Sequence, residues 1–340
     1  MAEAKRRGGA ASLTESEIIA RYFAPLAEGA PEAFGLHDDA ALLPREGDNE
    51  LVITADTIVE GSHFRWANAA EDVAYKALAV NVSDLTAKGA DPYCYLLSLV
   101  LPNADPGWLS GFSAGLGEAQ EAFGCKLVGG DTTAGDGRLT ISITALGRVP
   151  PGQMVSRGGA KAGDRLYVSG TVGDAALGLQ LSQTLELAQK WGLDEGHAAY
   201  LIGRYLRPVP PIGLAPILRD HASAALDISD GLLGDAAKLC EASGIGGEIR
   251  SAELPLSDAA RQALTADPRL LEVILTGGDD YQVLAAISEN RRDSFEAAAG
   301  EAGIEVQEIG KIIDSEYGLI ALDESGQRLR FKHLSFDHFA

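Results

Sequence analysis

Apolar residues recur along the chain in two spacings, which together predict a mixed α/β protein. Helical spacing marks residues 70–80, 108–123, 199–206 and 232–243, and a capped helix is predicted to start at Thr14. Residues 139–149 alternate between apolar and polar side chains, as a half-buried strand does. Short apolar runs predict further strands at 39–43, 51–54, 96–101, 126–128, 165–169, 224–228 and 283–287. We therefore expect antiparallel pairing in the first half and strands covered by helices in the second.

A proline pair marks the predicted domain boundary. Val149-Pro150-Pro151-Gly152 breaks any regular element, because proline lacks a backbone donor and glycine favours turns. A chain of 340 residues is long enough for two domains of ordinary size. We predict an N-terminal domain at 14–150, a C-terminal domain at 151–340 and a disordered tail at 1–13.

Five acidic motifs punctuate the chain, and most of them directly follow an apolar run. They are His37-Asp38-Asp39, Thr54-Ala55-Asp56-Thr57, Asn81-Val82-Ser83-Asp84, Gly129-Gly130-Asp131-Thr132-Thr133 and Asp227-Ile228-Ser229-Asp230-Gly231. An element that ends on a carboxylate delivers it to the rim of a packed core. Carboxylates gathered at one rim repel one another unless cations lie between them. The pattern predicts a site with several metal ions and oxygen ligands, for which Mg²⁺ is the natural occupant.

Charge and cysteine content narrow the class of protein. The formal net charge is −21, which argues against a nucleic-acid surface and means that an anionic ligand would need metals or local cations. A solvated acidic surface accounts for most of this charge. The three cysteines have neither zinc nor disulfide spacing, so buried free thiols in a reducing cytoplasm are expected. No signal peptide and no stretch of membrane-span length is found, so a soluble protein is expected.

Each motif alone has an ordinary structural explanation. An Asp pair or Gly-Gly-Asp is usually a turn, and Asp230-Gly231 is more often a helix cap. His63, between apolar neighbours, is more often structural, and Arg157 would normally be a surface charge. Only the ordered set of motifs makes a functional interpretation strong.

In that order, the motifs resemble the thiamine-monophosphate kinase family. Its superfamily also contains aminoimidazole ribonucleotide synthetase and selenophosphate synthetase. The resemblance spans roughly residues 15–339. Beyond the five acidic motifs it is carried by 58–64 (Ile-Val-Glu-Gly-Ser-His-Phe), 76–85 (Lys-Ala-Leu-Ala-Val-Asn-Val-Ser-Asp-Leu), 89–92 (Gly-Ala-Asp-Pro), Gly277-Gly278-Asp279-Asp280-Tyr281 and Phe336-Asp337-His338-Phe339.

The resemblance implies an activity and an architecture. The activity is ATP-dependent phosphorylation of thiamine monophosphate to thiamine diphosphate, by direct in-line transfer of the γ-phosphoryl group with several Mg²⁺ ions. Such transfer needs positioning and charge neutralisation more than a covalent nucleophile. The fold implied is the two-domain α/β (α+β) fold of aminoimidazole ribonucleotide synthetase. Its N-terminal domain pairs with a second subunit in a barrel, which makes a homodimer, and the active site lies in the cleft between the domains.

The resemblance also assigns residues to roles. The metal ligands by motif match are Asp39, Thr54, Ala55, Asp56, Asp84, Asp131, Asp227 and Asp230, with Ala55 able to offer only its backbone carbonyl. ATP is expected to contact Gly130, Asp131, Arg157 and Ser229. Thiamine monophosphate is expected to contact His63, Asp279, His333 and Phe336. No catalytic nucleophile is expected.

Three positions depart from the family pattern, and they bear on the substrate contacts. His37 stands where the family usually has Gly, and Asp279 and Gln282 stand where it usually has Glu. The Asp279 carboxylate therefore reaches about one methylene less far.

Sister enzymes of the superfamily are the nearest rivals. Selenophosphate synthetase would need a reactive Cys or selenocysteine and a Lys in an N-terminal Gly-rich segment, and this combination is not found here. The hydrogenase-maturation member would carry a C-terminal Cys, whereas this sequence ends in Asp337-His338-Phe339-Ala340. Aminoimidazole ribonucleotide synthetase remains possible on fold alone, but the sequence at 60–64 matches the thiamine-monophosphate kinase family better. A metal- or nucleotide-binding protein without catalysis would not need so many ligands.

Overall fold

The computed structural model describes residues 18–30, 47–314 and 318–335. They form two β-sheets that follow one another along the chain, with Pro150 and Pro151 between the last strand of the first sheet and the first strand of the second. The described part of the chain starts in a short π-helical turn at Ile19–Phe23. The predicted tail at 1–13, the helix start at Thr14 and the strand at 39–43 lie outside the described residues.

The N-terminal sheet has four strands in the order β1-β4-β2-β3. They are β1 (Glu50–Val59), β2 (Asp91–Leu101), β3 (Lys126–Ala134) and β4 (Thr140–Val149). β4 pairs antiparallel with both β1 and β2, which confirms the predicted antiparallel pairing, whereas β2 and β3 are parallel. Two helices, α1 (Ala70–Ala87) and α2 (Pro106–Phe123), pack against each other, and α1 also contacts β1, β2 and β4.

Local sequence signals account for α2. The Asp105 carboxylate accepts a hydrogen bond from the Trp108 amide at 2.7 Å, and Pro106 occupies the first turn, where its missing N–H is not needed. The helix ends at Gly124 in the left-handed conformation. The apolar positions that recur at helical spacing are buried in the core, as predicted, except Trp108, which is partly buried against it.

Among the described residues, one face of this sheet carries no α-helix, although the 3₁₀ turn at Ala24–Ala27 packs on part of it against Cys94 and Leu146. Leu51 and Ile53 on β1 are 48% and 63% exposed, and Leu96 on β2 is 39% exposed. On the same strands the alternate residues Val52, Leu97 and Leu99 are buried. The two faces of the sheet therefore differ, and the open one displays apolar side chains.

The C-terminal sheet has six strands in the order β10-β7-β9-β5-β8-β6. They are β5 (Arg165–Ser169), β6 (Ala222–Asp227), β7 (Gly246–Arg250), β8 (Val283–Ile287), β9 (Val306–Ile313) and β10 (Leu319–Leu322). The helices around it are α3 (Asp174–Gln183), α4 (Leu187–Lys190), α5 (Glu195–Leu206), α6 (Ala215–His221), α7 (Leu232–Ser243), α8 (Asp258–Ala266), α9 (Leu270–Thr276) and α10 (Arg292–Glu301). The prediction of strands covered by helices is confirmed for this half.

Helix α1 lies between the two sheets. It contacts three strands of the first sheet and also β6 and β8 of the second. Its sides are therefore apolar almost all round, with Ala74, Leu78 and Val82 fully buried. This placement brings the polar residues near its C-terminal end to the junction of the domains.

Several element bounds differ from the sequence prediction, and the differences move the acidic motifs. α1 runs on to Ala87 and carries Asn81 and Asp84 within it, whereas the prediction ended that helix at residue 80. Asp56 and Asp131 lie inside β1 and β3 and not after them. Asp227 is the last residue of β6, one position before the predicted strand end at residue 228. A strand can continue through a polar residue when that residue lies on a face of the sheet that is not fully buried.

Two further expectations concern membranes and thiols. Cys94, Cys125 and Cys240 are buried and free, as predicted. In the ranges that the structure describes, no helix has both the length and the apolar character that crossing a membrane requires.

Candidate active site

Four carboxylates meet where the two domains join, and with Thr54 we call them the acidic junction. They are Asp56 on β1, Asp84 on α1, Asp227 at the end of β6 and Asp230 in the turn that follows. The Thr54 hydroxyl donates to the Asp84 carboxylate at 2.5 Å, and the Asp56 amide donates to the Asn81 side chain at 3.0 Å. These bonds fix β1 against α1. They bring the acidic motif at 54–57 next to the one at 81–84.

Burial and mutual repulsion disturb the titration of the acidic junction. Burial raises the pKa of Asp56 to about 6, and the charges of Asp84 and Asp230 add to the shift. Burial and then the charge of Asp84 raise the pKa of Asp227 well above its usual value. Buried carboxylates this close to one another repel when both are charged. A bound cation would remove that repulsion.

The donor set fits Mg²⁺ in its chemistry. Within the residues that the structure describes, no three His, Cys, Asp or Glu side chains form a ready-made metal cluster. Asp84 accepts from Thr54 and Asp230 pairs with Lys238, so both point toward protein partners. Mg²⁺ takes oxygen ligands and usually binds to one or two carboxylates together with water and substrate phosphates. Buried carboxylates in mutual repulsion suit that mode of binding.

The turn that carries Ser229 and Asp230 is held by two residues of α7. The carboxylate of Asp235, which is 1% exposed, accepts from the amides of Ser229 and Asp230 at 3.0 Å each. The ammonium of Lys238 lies 2.6 Å from Asp230 and 2.7 Å from Asp235. The sequence analysis missed both residues, although their spacing of three on a helix next to Asp230 is a readable signal.

A second turn interlocks with the first and positions Asp279. The Asp279 amide donates to the Ser229 carbonyl at 2.9 Å, and the Tyr281 amide donates to the Ile228 carbonyl at 2.8 Å. A Cβ atom on Gly278 would lie 2.2 Å from the Ser229 carbonyl oxygen, so only glycine permits this contact. Asp279 itself has φ +74°, an unusual conformation for a residue with a side chain.

His63 and Asp279, both predicted to face thiamine monophosphate, are joined through Lys76. The Lys76 ammonium lies 3.1 Å from the Asp279 carboxylate and donates to the His63 carbonyl at 3.5 Å. It also lies 4.0 Å from the ring centre of Tyr205, whose hydroxyl donates to the same carbonyl at 2.9 Å. Burial lowers the pKa of Lys76, and Asp279 opposes that shift. Lys76 and Tyr205 were not assigned a role from the sequence.

A second lysine, Lys88, follows α1 on the C-domain side of the acidic junction. Its ammonium donates to the Ala225 carbonyl at 2.7 Å. Burial and the nearby Arg157 lower the pKa of Lys88 to about 8, while Asp227 and Asp84 oppose the shift. The predicted ATP contact Arg157 thus lies within electrostatic range of Lys88, which the carboxylates Asp227 and Asp84 also influence. Nothing in the sequence pattern marked Lys88.

Gly130 and Asp131 lie apart from the acidic junction within one chain. β1 and β3 are the opposite edges of the four-stranded sheet, so three strand spacings, about 14 Å, separate them. In the strand register, Asp131 lies opposite Ser98, Ser98 lies opposite Ser142, and Ser142 lies opposite Thr57. All four residues of this row are on the open face. A Cβ on Gly130 would lie 1.8 Å from the Leu97 carbonyl oxygen. Packing alone therefore requires glycine at this position, whether or not ATP binds there.

The C-terminal segment reaches α7 next to the acidic junction. A Cβ on Gly234 would lie 2.3 Å from the Ser335 side chain, so the two backbones are in close contact there. The predicted substrate residue His333 precedes this contact by two positions and is exposed. Asp39 and Phe336, the remaining predicted site residues, lie outside the described residues.

Comparison with known proteins identifies the family of the chain and its fold. Residues 37–149 match the family model of the AIR synthase related protein N-terminal domain, and residues 161–321 match that of its C-terminal domain. A thiamine-monophosphate kinase of Caulobacter vibrioides is 42% identical over 90% of this chain and 86% of its own length. The crystal structure of thiamine-monophosphate kinase from Stenotrophomonas maltophilia covers 91% of this chain and 98% of its own, with 35% identity and a TM-score of 0.80.

A ligand complex is also among the similar structures. AaThiL complexed with AMPPCP and TMP has 33% identity and a TM-score of 0.73, and it covers 86% of this chain and 89% of its own. The two domain models together match more than half of the chain, and the relatives above 30% identity span most of it. The chain belongs to the thiamine-monophosphate kinase family, with the two-domain AIR synthase-related fold.

Proposed function

We propose that the protein phosphorylates thiamine monophosphate to thiamine diphosphate with ATP, by direct in-line transfer of the γ-phosphoryl group. One observation carries the proposal. The interlocked turns between the domains connect Asp230 of the acidic junction with Asp279 of the Lys76–Asp279 pair, in a chain that belongs to this kinase family. The AMPPCP and TMP bound to its relative AaThiL are an ATP analogue and the substrate class expected here.

Several Mg²⁺ ions would be held by the carboxylates of Asp39, Asp56, Asp84, Asp131, Asp227 and Asp230, with the Thr54 hydroxyl and the Ala55 carbonyl. When bound, Mg²⁺ supplies the positive charge that lets two phosphate-bearing anions approach each other. β1 is an edge strand, so backbone carbonyls on its unpaired side are available as ligands. The raised pKa values of Asp56 and Asp227 support a cation here, because a cation would restore their charge.

The residues of the chain position the two reactants. Ser229 sits in a turn that Asp235 holds rigid, which suits a hydroxyl contact to an ATP phosphate. Arg157, Gly130 and Asp131 are the other proposed ATP contacts. His63, Asp279, His333 and Phe336 would contact thiamine monophosphate, with Lys76 orienting Asp279. No side chain is needed as a covalent nucleophile.

We further propose a homodimer that forms through the open face of the N-terminal sheet. Leu51, Ile53 and Leu96 would gain burial there. Asp131 stands on the same face and on the far edge from β1, so a second subunit could supply it to the acidic junction of the first. The free buried cysteines support a cytoplasmic location, where thiols stay reduced.

The domain limits at 14–150 and 151–340 remain proposals as well. The matched family ranges, 37–149 and 161–321, support a boundary near the proline pair.

A product assay tests the function. Purified protein is incubated with Mg-ATP and thiamine monophosphate, and thiamine diphosphate is quantified by chromatography. Parallel reactions offer a panel of other phosphate acceptors. Thiamine diphosphate as the main product is the expected result. ATP binding without that product would overturn the kinase assignment, and turnover of another acceptor would move the protein to a sister activity.

A further inference from the structure

A cavity with polar lining residues lies at the end of β6 that is remote from the acidic junction. Its volume is about 410 Å³, and it is bounded by the loop at 159–164, the start of β6 and the turn at 288–291. Ser223 lines it and precedes Asp227 by four residues, which is about 13 Å of strand. We call it the β6 cavity. Its volume is in the range of pockets that hold small molecules.

Two cations of the β6 cavity have no carboxylate partner. Among the residues that the structure describes, neither Lys161 nor Arg291 makes an ion pair, although Arg291 donates to the Asp220 carbonyl at 2.5 Å. The neighbouring arginines are paired, Arg165 with Glu289 and Arg292 with Glu296. In a chain of net charge −21, two unpaired cations at one cavity form a local positive site.

The single carboxylate that lines the cavity is already engaged. Asp164 is buried and accepts from the Lys161 amide at 2.9 Å and from the Ser223 hydroxyl at 2.5 Å. Those bonds hold the loop against the start of β6. They leave the Lys161 ammonium free of an ion pair with Asp164.

Asn290 adds a neutral donor beside the cations. Its side-chain oxygen accepts from the Ser288 hydroxyl at 2.8 Å, which leaves its amide N–H groups for another acceptor. An ammonium, a guanidinium and an amide around one cavity match the oxygens of a phosphate group, since Arg binds phosphate through two N–H groups and Lys acts as a point charge.

We propose that the β6 cavity binds a small phosphate-bearing molecule, at a place separate from the ATP and thiamine monophosphate contacts. Phosphate is favoured over a single carboxylate because its greater charge gains more from two cations. The volume leaves room for more than one phosphate group, so inorganic pyrophosphate is a suitable probe. The inference does not depend on the kinase reaction.

Calorimetric titration of the full chain tests the proposal. Inorganic pyrophosphate is titrated without divalent ions, which weakens binding at the acidic junction, and acetate is titrated as the single-carboxylate comparator. Lys161→Gln with Arg291→Gln is expected to weaken pyrophosphate binding by about tenfold or more. Lys190→Gln with Arg250→Gln removes the same charge elsewhere on the surface and should leave the affinity unchanged. Equal affinity in both double variants, no binding to the unaltered protein, or equal binding of acetate would overturn the proposal.

Hydrogen exchange on the unaltered protein locates the ligand even where a variant folds poorly. Pyrophosphate should slow amide exchange at 159–164 and 288–291. Slowed exchange confined to 54–56 and 227–230 would put the anion at the acidic junction and exclude the β6 cavity.

Discussion

The ammonium group of Lys76 lies 3.1 Å from a carboxylate oxygen of Asp279, and this ion pair joins the two domains. Lys76 belongs to α1, whereas Asp279 belongs to the turn that interlocks with 228–231. The Lys76 side chain is only 3% exposed. If the Asp279 charge were removed, little water could therefore reach the Lys76 ammonium to solvate it. The pair therefore fixes the one predicted substrate contact at which this chain departs from the family pattern.

Removal of the Asp279 charge should destabilise the protein more than removal of both charges. Asp279→Asn leaves Lys76 buried without a counter-charge, and we expect a loss of about 3 kcal/mol in the free energy of unfolding. Lys76→Met together with Asp279→Asn should lose less than Asp279→Asn alone, because no buried charge is then left unpaired. Urea unfolding of the four proteins measures this coupling.

An exposed ion pair supplies the control for that cycle. Glu118 pairs with Arg207 at 2.6 Å and is 54% exposed. Glu118→Gln should change the free energy of unfolding by less than about 1 kcal/mol, because water screens the pair. A cost for Asp279→Asn as small as this would show that Lys76 does not depend on Asp279.

Two glycine substitutions should act in opposite directions. Gly278→Ala puts a Cβ 2.2 Å from the Ser229 carbonyl oxygen, so the two turns must separate, and we expect losses of both stability and turnover. Gly300 lies in α10 with nothing within 4 Å of its Cβ position, and Gly300→Ala should stabilise the protein by about 0.5–1 kcal/mol. Thermal unfolding and the product assay report both effects, and normal activity of Gly278→Ala would contradict the interlocked arrangement.

Asp280 should make stability depend on pH between about 4 and 7. Burial raises the pKa of Asp280 to about 7, although the amides of Gly173 and Ala175 donate to its carboxylate. A raised carboxyl pKa stabilises the fold while the group is protonated. Its contribution is fully present below the unfolded pKa near 4 and is lost as pH rises through 7.

Urea unfolding at several pH values measures this loss. Asp280→Asn cannot ionise, so its free energy of unfolding should fall less between pH 4 and pH 8 than that of the unaltered protein. Parallel curves for the two proteins would exclude Asp280 as the source of the dependence.

The regular elements were readable from the sequence because their signals are local. The spacing of Leu109, Phe112 and Leu116 defines α2, and the alternation at 139–149 defines β4 within one residue of its observed start. The order of the acidic motifs likewise predicted that Asp56, Asp84 and Asp227 share a site. Each of these inferences depends on residues close in the chain or on a known order of motifs.

The contacts that orient the site were not readable, because they depend on how distant elements pack. Lys76 meets Asp279 only when α1 lies between the sheets, and Asp235 reaches the Ser229 turn only once α7 has formed. The position of Asp131 on the open face follows from strand order, which local patterns do not specify. Long-range topology is therefore what the sequence left open.

Mixed dimers provide a test of whether Asp131 serves the acidic junction of a second subunit. Asp131→Asn and Asp227→Asn should each abolish most of the turnover alone, because each removes a proposed metal ligand from every site. In a dimer with one subunit of each kind, a shared arrangement leaves one site with both carboxylates intact. Random pairing of the two variants should then restore about a quarter of the unaltered activity.

Co-expression with two different affinity tags isolates the mixed dimer for this assay. Purification through both tags should raise its activity to about half of the unaltered value, because one of two sites works. Sites built within single subunits would leave the mixed dimer as inactive as either parent, since every site would lack one carboxylate. Near-normal turnover of both single variants would refute the role of these carboxylates in either arrangement. The inactive mixed dimer would instead confine Asp131 to its own chain, where about 14 Å of sheet separates its strand from β1.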